Sequence, residues 1–82
     1  MFKLYIIYSV FLDRYYVGST ANIDDRLFRH KNSGSKSTKS ASDWVLVYSE
    51  DFETRSEAVK RELEIKGKKS RKYLESLINN LQ

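Results

Sequence analysis

Five polar side chains in this 82-residue chain have types that could act together on one substrate. Tyrosine and histidine can transfer protons, an arginine guanidinium binds anions, and a carboxylate holds a divalent cation. If the fold brings them together, they predict acid–base chemistry on an anionic substrate. The five residues are Tyr5, Tyr16, Arg26, His30 and Glu62.

Two of these side chains lie on the inward face of a predicted helix, whose sequence is ANIDDRLFRHKN. A helix turns by about 100° per residue, so Leu27, His30 and Arg26 lie roughly 40°, −20° and −60° from Ile23. His30 is therefore inside the apolar stripe and Arg26 is at its edge. A core histidine satisfied by a backbone group is the alternative for His30. An inward arginine usually needs an anion.

Glu62 occupies a similar inward position on a second predicted helix. Taking Ala58 as origin, Ile65 falls at roughly −20° and Glu62 at roughly 40°, whereas Glu64 points away. A buried carboxylate must be hydrogen-bonded, ion-paired or bound to a metal. An ion pair with Arg26 and a metal site are therefore the two alternatives for Glu62.

The elements that must position these residues follow the order ββαβαα. Runs of β-branched and aromatic residues predict strands in KLYIIYS, in RYYVG and from Trp44 to about Ser49. The first two form a hairpin that lets Tyr5 and Tyr16 face one another. Helices are predicted at 21–31, 55–66 and 71–80. This order indicates a small α+β domain with helices flanking a three-stranded antiparallel sheet.

Helix-start signals support these boundaries. Asn22 is a favourable N-cap residue, and Thr54 with Glu57 forms a capping box before the second helix. Ser70 is the predicted cap of the third helix. The second helix is expected to end near Gly67.

Composition restricts the class of protein. The chain is 40% hydrophobic and 32% charged, which is typical of one globular domain covering residues 1–82. No apolar run is long enough to cross a membrane, and the lack of cysteine excludes disulfides and thiolate metal sites. We therefore expect a cytoplasmic protein with no membrane partner.

The net charge of +4 is concentrated in two segments. KGKKSRK has five cations in seven residues, and the segment GSKSTKSAS adds two lysines. Such stretches suit contact with nucleic-acid phosphates, and a solvated helix end is the alternative. The candidate nucleic-acid-binding residues are Lys36, Lys39, Lys66, Lys68, Lys69, Arg71 and Lys72.

Four ordered motifs resemble those of the GIY-YIG nuclease superfamily. The spacings also agree, with eleven positions from Tyr5 to Tyr16, eight from Gly18 to Arg26, and four from Arg26 to His30. The resemblance covers nearly the whole chain. It is nearest to short, stand-alone bacterial members related to the amino-terminal nuclease domain of the excision-repair nucleases. The motifs are Leu4-Tyr5, Tyr16-Val17-Gly18, RLFRH at 26–30 and AVKRE at 58–62.

Three departures from the family pattern bear on activity. Lys3 and Leu4 stand where the first motif has glycine and isoleucine. Ser19, Thr20 and Ala21 follow the second motif, where the excision-repair nucleases have a lysine-containing Gly-Lys-Ala. Leu74 occupies the position at which many members carry an asparagine. A catalytically weak or inactive nucleic-acid-binding module is therefore kept as the alternative to an active enzyme.

The resemblance implies a metal-dependent DNA endonuclease that hydrolyses phosphodiester bonds. Tyr5 or Tyr16 would hold and activate the attacking water, and Gly18 would allow close approach of the phosphate to the backbone. Arg26 would bind the phosphate and offset the charge of the transition state. His30 would orient groups or exchange a proton. Ordinary hairpin packing is the alternative for the two tyrosines.

The cofactor implied by the resemblance is one Mg²⁺ or Mn²⁺ ion, largely hydrated and held by Glu62. The implied partner is DNA, cleaved according to its structure during repair or recombination. A domain of this size presents few base-reading elements. A partner protein or a homo-oligomer is therefore expected before recognition of a long base sequence.

Overall fold

A computed structural model of the chain describes residues 1–32 and 41–79. The order ββαβαα and the α+β class are as predicted, whereas Lys36, Lys39 and the expected helix end at residue 80 lie outside the described residues. No helix in the described part is long and apolar enough to span a bilayer. The elements are β1 (Phe2–Ser9), β2 (Arg14–Thr20), α1 (Ile23–Asn32), β3 (Val45–Phe52), α2 (Arg55–Lys68) and α3 (Arg71–Asn79).

The three strands form one antiparallel sheet in the order β2-β1-β3, which confirms the predicted sheet. β1 is the central strand, and its apolar run 4–7 is completely buried. Pairing with β2 places Tyr5 opposite Gly18 and Ile7 opposite Tyr16. Since alternate residues of a strand point to the same face, these four residues share one face of the sheet.

That face is covered by α1. Tyr5 and Ile7 pack there with the buried Trp44, and the apolar side chains of Ile23 and Leu27 on α1 pack against them. The face of α1 that packs on the sheet therefore carries Ile23, Leu27 and also His30.

The opposite face is covered by α2 and α3. Leu4 and Ile6 of β1 pack there with Ile65 of α2, and α3 contributes Leu74 and Leu77. β2 lies at the edge of the sheet beside α2. Side chains from both faces can therefore meet along β2.

Helix boundaries differ from the predictions at both ends of α1, which ends at Asn32, and at the end of α2. α1 begins at Ile23, two residues later than predicted, because the Asn22 side chain accepts a hydrogen bond of 3.0 Å from the Asp25 N–H. α2 has the predicted capping box but continues through Gly67 to Lys68. Lys69 ends α2 in the left-handed conformation, with φ of 48°.

The later strands are also longer than predicted. β2 continues to Thr20, which pairs with Lys3, and β3 continues to Phe52, which pairs with Phe2. β1 supplies backbone hydrogen-bonding partners over this length. Pairing with β1 therefore extends both strands beyond their apolar runs.

A group of charged and aromatic side chains joins α3 to the β1–β2 turn. Arg71 donates to the Asp13 carboxylate at 2.7 Å and also pairs with Glu75. Tyr8 donates to Asp13, and the Tyr15 ring lies under the Arg71 guanidinium, with 5.2 Å from Cζ to the ring centroid. We call these five residues the Arg71 network.

Candidate functional site

The two motif tyrosines and the single histidine meet on the face covered by α1. The ring centroids of Tyr5 and Tyr16 are 6.5 Å apart, and that of His30 lies 5.9 Å and 4.9 Å from them, respectively. The Tyr5 hydroxyl lies 2.9 Å from His30 Nε2, and both side chains are almost completely buried. The hairpin and the inward face of α1 therefore bring these three groups together.

Gly18 makes room for Tyr5. A Cβ atom at Gly18 would lie 2.5 Å from the Tyr5 hydroxyl oxygen and 2.7 Å from Cζ, closer than side chains can approach. The neighbour that needs the glycine in this structure is the Tyr5 ring. Tyrosine and glycine thus occur together because the ring of β1 lies over the backbone of β2.

Arg26 lies beside these groups on α1, half-buried at the edge of the inward face. It forms no ion pair with any residue that the structure describes. Its charge acts on both Tyr5 and His30. We call Tyr5, Tyr16, Arg26 and His30 the Arg26 cluster.

Burial and charge shift the pKa values of this cluster in opposite directions. Burial raises the pKa of Tyr5 above 10.0, and the nearby Tyr16 adds to this effect, whereas Arg26 partly opposes it. Burial, and then the positive charge of Arg26, lower the pKa of His30 below 6.5. At neutral pH Tyr5 is therefore protonated and His30 is neutral.

Glu62 reaches the β2 edge from α2. Its carboxylate accepts hydrogen bonds from the Ser19 hydroxyl at 2.7 Å and from Lys66 Nζ at 2.6 Å. Its side chain is 18% exposed, and its charge contributes to raising the pKa of Tyr5. The alternative ion pair with Arg26 is wrong for the residues described, since Lys66 takes that place.

The rotation argument for α2 correctly predicts the outward position of Glu64 and the inward position of Ala58 and Ile65. Glu64 is 54% exposed and pairs with Arg61, so it points away from the site as predicted. Ala58 and Ile65 are buried, whereas Val59 lies on the exposed side. Glu62 thus projects from the margin of the buried stripe.

Glu62 is the residue that the sequence analysis assigns to a cation. Within residues 1–32 and 41–79, no group of three or more histidine, aspartate or glutamate side chains could hold a metal ion. Mg²⁺ usually keeps several waters and binds one or two carboxylates together with substrate phosphates. A cation at Glu62 would have to displace the ammonium of Lys66. Glu62 would be the one carboxylate bound to such an ion, and water or substrate would fill its other coordination positions.

Two contacts of Glu62 were missed by the sequence reasoning. Lys66 was predicted only to bind nucleic acid, yet it also contacts Glu62 and lies near Tyr16, with 5.8 Å from Nζ to the ring centroid. The four-residue spacing of Glu62 and Lys66 could have indicated this pair. No local signal connects Ser19 with Glu62, because their contact depends on how α2 lies along β2.

The other predicted nucleic-acid-binding residues have different surroundings. Lys68 lies over the Tyr73 ring, at 5.5 Å from Nζ to the centroid, and Arg71 belongs to the Arg71 network. Lys69 and Lys72 are exposed. Lys36 and Lys39 lie outside the described residues.

Comparisons with known proteins agree with the motifs. A family model described as the GIY-YIG catalytic domain matches residues 1–74. UPF0213 proteins of Staphylococcus saprophyticus, Staphylococcus haemolyticus and Staphylococcus aureus are 48%, 46% and 44% identical to the chain over 52 residues. The match covers 62% of the chain and 63% of each relative. No solved structure matches.

The family match spans both strands that carry the tyrosines, the helix that carries Arg26 and His30, and the helix that carries Glu62. The same stretch contains the whole three-stranded sheet. The chain therefore belongs to the GIY-YIG catalytic domain family.

Proposed function

We propose that the protein is a metal-dependent DNA endonuclease that selects its substrate by DNA structure in repair or recombination. The observation that carries the proposal is Arg26, a half-buried guanidinium without an ion-pair partner among the described residues, beside the Tyr5–His30 hydrogen bond. A phosphodiester supplies the anion that such a guanidinium requires.

Tyr5 and His30 provide a path for the proton of the attacking water. As the water oxygen bonds to phosphorus, its proton passes to the Tyr5 oxygen, and the proton of Tyr5 passes to His30 Nε2. The path uses the histidine tautomer with its proton on Nδ1, an assignment and not an observation. The P–O bond to the leaving group then breaks, and that oxygen takes a proton from solvent. Tyr16, the less buried tyrosine, orients the water.

Arg26 connects phosphate binding with the basicity of His30. Without substrate, the positive charge of Arg26 helps to lower the pKa of His30. A bound phosphate offsets this charge, so His30 becomes a stronger base when substrate is in place. The same guanidinium stabilises the charge that develops in the transition state.

Glu62 would hold the cation, with Ser19 fixing one carboxylate oxygen while Lys66 gives up the other. When bound, Mg²⁺ or Mn²⁺ would supply Lewis-acid stabilisation of the phosphate and of the leaving oxygen.

A nucleic-acid-binding module without turnover is the second candidate. The observation in its favour is the ion pair of Glu62 with Lys66, which already neutralises the proposed metal ligand. Two departures from the family pattern point in the same direction: the lysine-containing segment of the excision-repair nucleases is absent after Gly18, and Leu74 replaces the asparagine of many members.

Labelled single-stranded, nicked and branched DNA, incubated with the purified protein with and without Mn²⁺, tests the proposal. We expect cleavage only with metal, and faster cleavage of nicked or branched DNA than of intact duplex. Binding of these DNAs without metal-dependent cleavage would contradict the proposal and support the second candidate.

A further inference from the structure

A cleft of about 440 Å³ opens between the start of β2 and the junction of α2 with α3. This volume lies within the range of about 300–1,000 Å³ that is typical of small-ligand pockets. It is large enough for one nucleotide and too small for a stacked base pair with its backbone.

The inner wall of this cleft is apolar. Val17 of β2 and Ile65 of α2 line it and are almost completely buried, and Leu74 of α3 lines it from the third side. All three belong to the hydrophobic core on the α2–α3 face. Such a wall suits the flat, weakly hydrated surface of a nucleobase.

Two cations that line the cleft are not neutralised by the protein. Arg14 and Lys69 are exposed and form no ion pair within residues 1–32 and 41–79. By contrast, Lys66 and Arg71, which also line it, are paired with Glu62 and with the Arg71 network. Arg14 and Lys69 are thus the cations available to an external anion such as a phosphate.

The cleft shares two side chains with the surroundings of the candidate site. Tyr16 and Lys66 line the cleft. Tyr16 also lies against His30, and Lys66 against Glu62. Tyr16 and Lys66 therefore connect the cleft with His30 and Glu62 at the β2 edge of the sheet.

We propose that this cleft receives one unpaired nucleotide next to the cleaved phosphate, with its base against the apolar wall and its phosphate at Arg14 and Lys69. The inference rests on the proposed DNA substrate and specifies its class as flapped or branched DNA. A paired base would first have to leave its stack, whereas an unpaired base is already free to enter.

The test measures binding in the absence of metal, so that it does not depend on cleavage. The probes are a duplex with a one-nucleotide flap of 2-aminopurine, the same flap without its base, and a fully paired duplex containing 2-aminopurine. We expect the intact flap to bind roughly tenfold more tightly than the other two DNAs. Only its fluorescence should change on binding.

The variant Arg14→Gln/Lys69→Gln should reduce the ratio of flap to duplex affinity. The matched control, Lys60→Gln/Lys72→Gln, removes the same charge from exposed lysines outside the cleft lining and should weaken both DNAs alike. Equal affinity for the intact and baseless flaps, or an unchanged ratio in the Arg14/Lys69 variant, would overturn the cleft proposal.

Cleavage with Mn²⁺ is measured separately on the same DNAs. Cleavage without a preference for the intact flap removes the cleft proposal and leaves the endonuclease proposal in place. Preferential binding of the intact flap without cleavage of any DNA supports the cleft proposal and removes the endonuclease proposal.

Discussion

The Arg26 cluster and the Arg71 network each combine an arginine with a pair of tyrosines, yet their charges are arranged differently. In the Arg71 network the Tyr8 and Tyr15 rings are 4.8 Å apart, and Arg71 is paired with both Asp13 and Glu75. Arg26 has no such carboxylate among the residues that the structure describes. The arginine of the Arg71 network is thus neutralised by carboxylates of the protein, whereas Arg26 is not neutralised by any described residue.

The pKa shifts reflect this difference. In the Arg71 network, hydrogen bonds from Arg71 and then Tyr8 lower the pKa of Asp13 to about 2. In the Arg26 cluster the shifted groups are neutral at pH 7: burial raises the pKa of Tyr5, and burial with Arg26 lowers that of His30. Ion pairs inside the protein hold the first group together, whereas we propose that the second binds an external anion.

We expect the largest effect on cleavage from Arg26→Ala, which changes the Arg26 cluster and leaves the Arg71 network intact. Loss of a well-placed transition-state cation should reduce cleavage by roughly a hundredfold or more. The fold should persist, because Arg26 makes no ion pair that holds described elements together. Steady-state cleavage and circular dichroism measure the two quantities.

Two controls accompany this variant. Arg29→Ala removes an exposed arginine from the same helix and should leave cleavage unchanged. Asp13→Asn opens the Arg71 network while keeping a residue that tolerates the left-handed conformation at this position, so it should lower the melting temperature slightly without slowing cleavage. Wild-type cleavage by Arg26→Ala would remove Arg26 from the mechanism.

Gly18→Ala should disturb the Arg26 cluster by a steric route. The new methyl group would collide with the buried Tyr5 ring, so we expect a destabilisation of about 1–3 kcal/mol together with slower cleavage. Gly67→Ala is the matched control, because nothing lies within 4 Å of its Cβ position and alanine favours a helix. Denaturant unfolding of both variants provides the measurement. Equal stability of the two variants would mean that Tyr5 does not need the space at Gly18.

The smallest effect concerns pH. Because the pKa of His30 in the folded protein lies below 6.5, the unfolded chain binds the proton more readily. The stabilisation from neutral His30 is therefore complete above about pH 6.5 and decreases as the pH falls toward the folded-state pKa. His30→Gln should flatten the melting temperature between about pH 7 and pH 5. The chain has one histidine, so a slope that persists in this variant would refute the assignment.

The sequence was sufficient to predict the element order, the shared face of Tyr5 and Tyr16, and the inward position of His30, because each follows from a period of two or 3.6 residues. It was insufficient where long-range contacts decide the structure. β2 and β3 are extended by pairing with β1, and Ser19 meets Glu62 because of how α2 lies along β2. The cleft at Arg14 and Lys69 likewise depends on the junction of α2 and α3.

Cleavage by Glu62→Gln and Glu64→Gln in the presence of Mn²⁺ tests the central claim most directly. The two glutamates lie two residues apart on α2, and they are 18% and 54% exposed, respectively. Lys66, the ion-pair partner of Glu62, is itself 45% exposed, so Glu62→Gln should change the free energy of unfolding by no more than about 1 kcal/mol. We predict that Glu62→Gln loses metal-dependent cleavage while Glu64→Gln cleaves like the wild type. Equal cleavage by the two variants would contradict a metal-dependent site at Glu62.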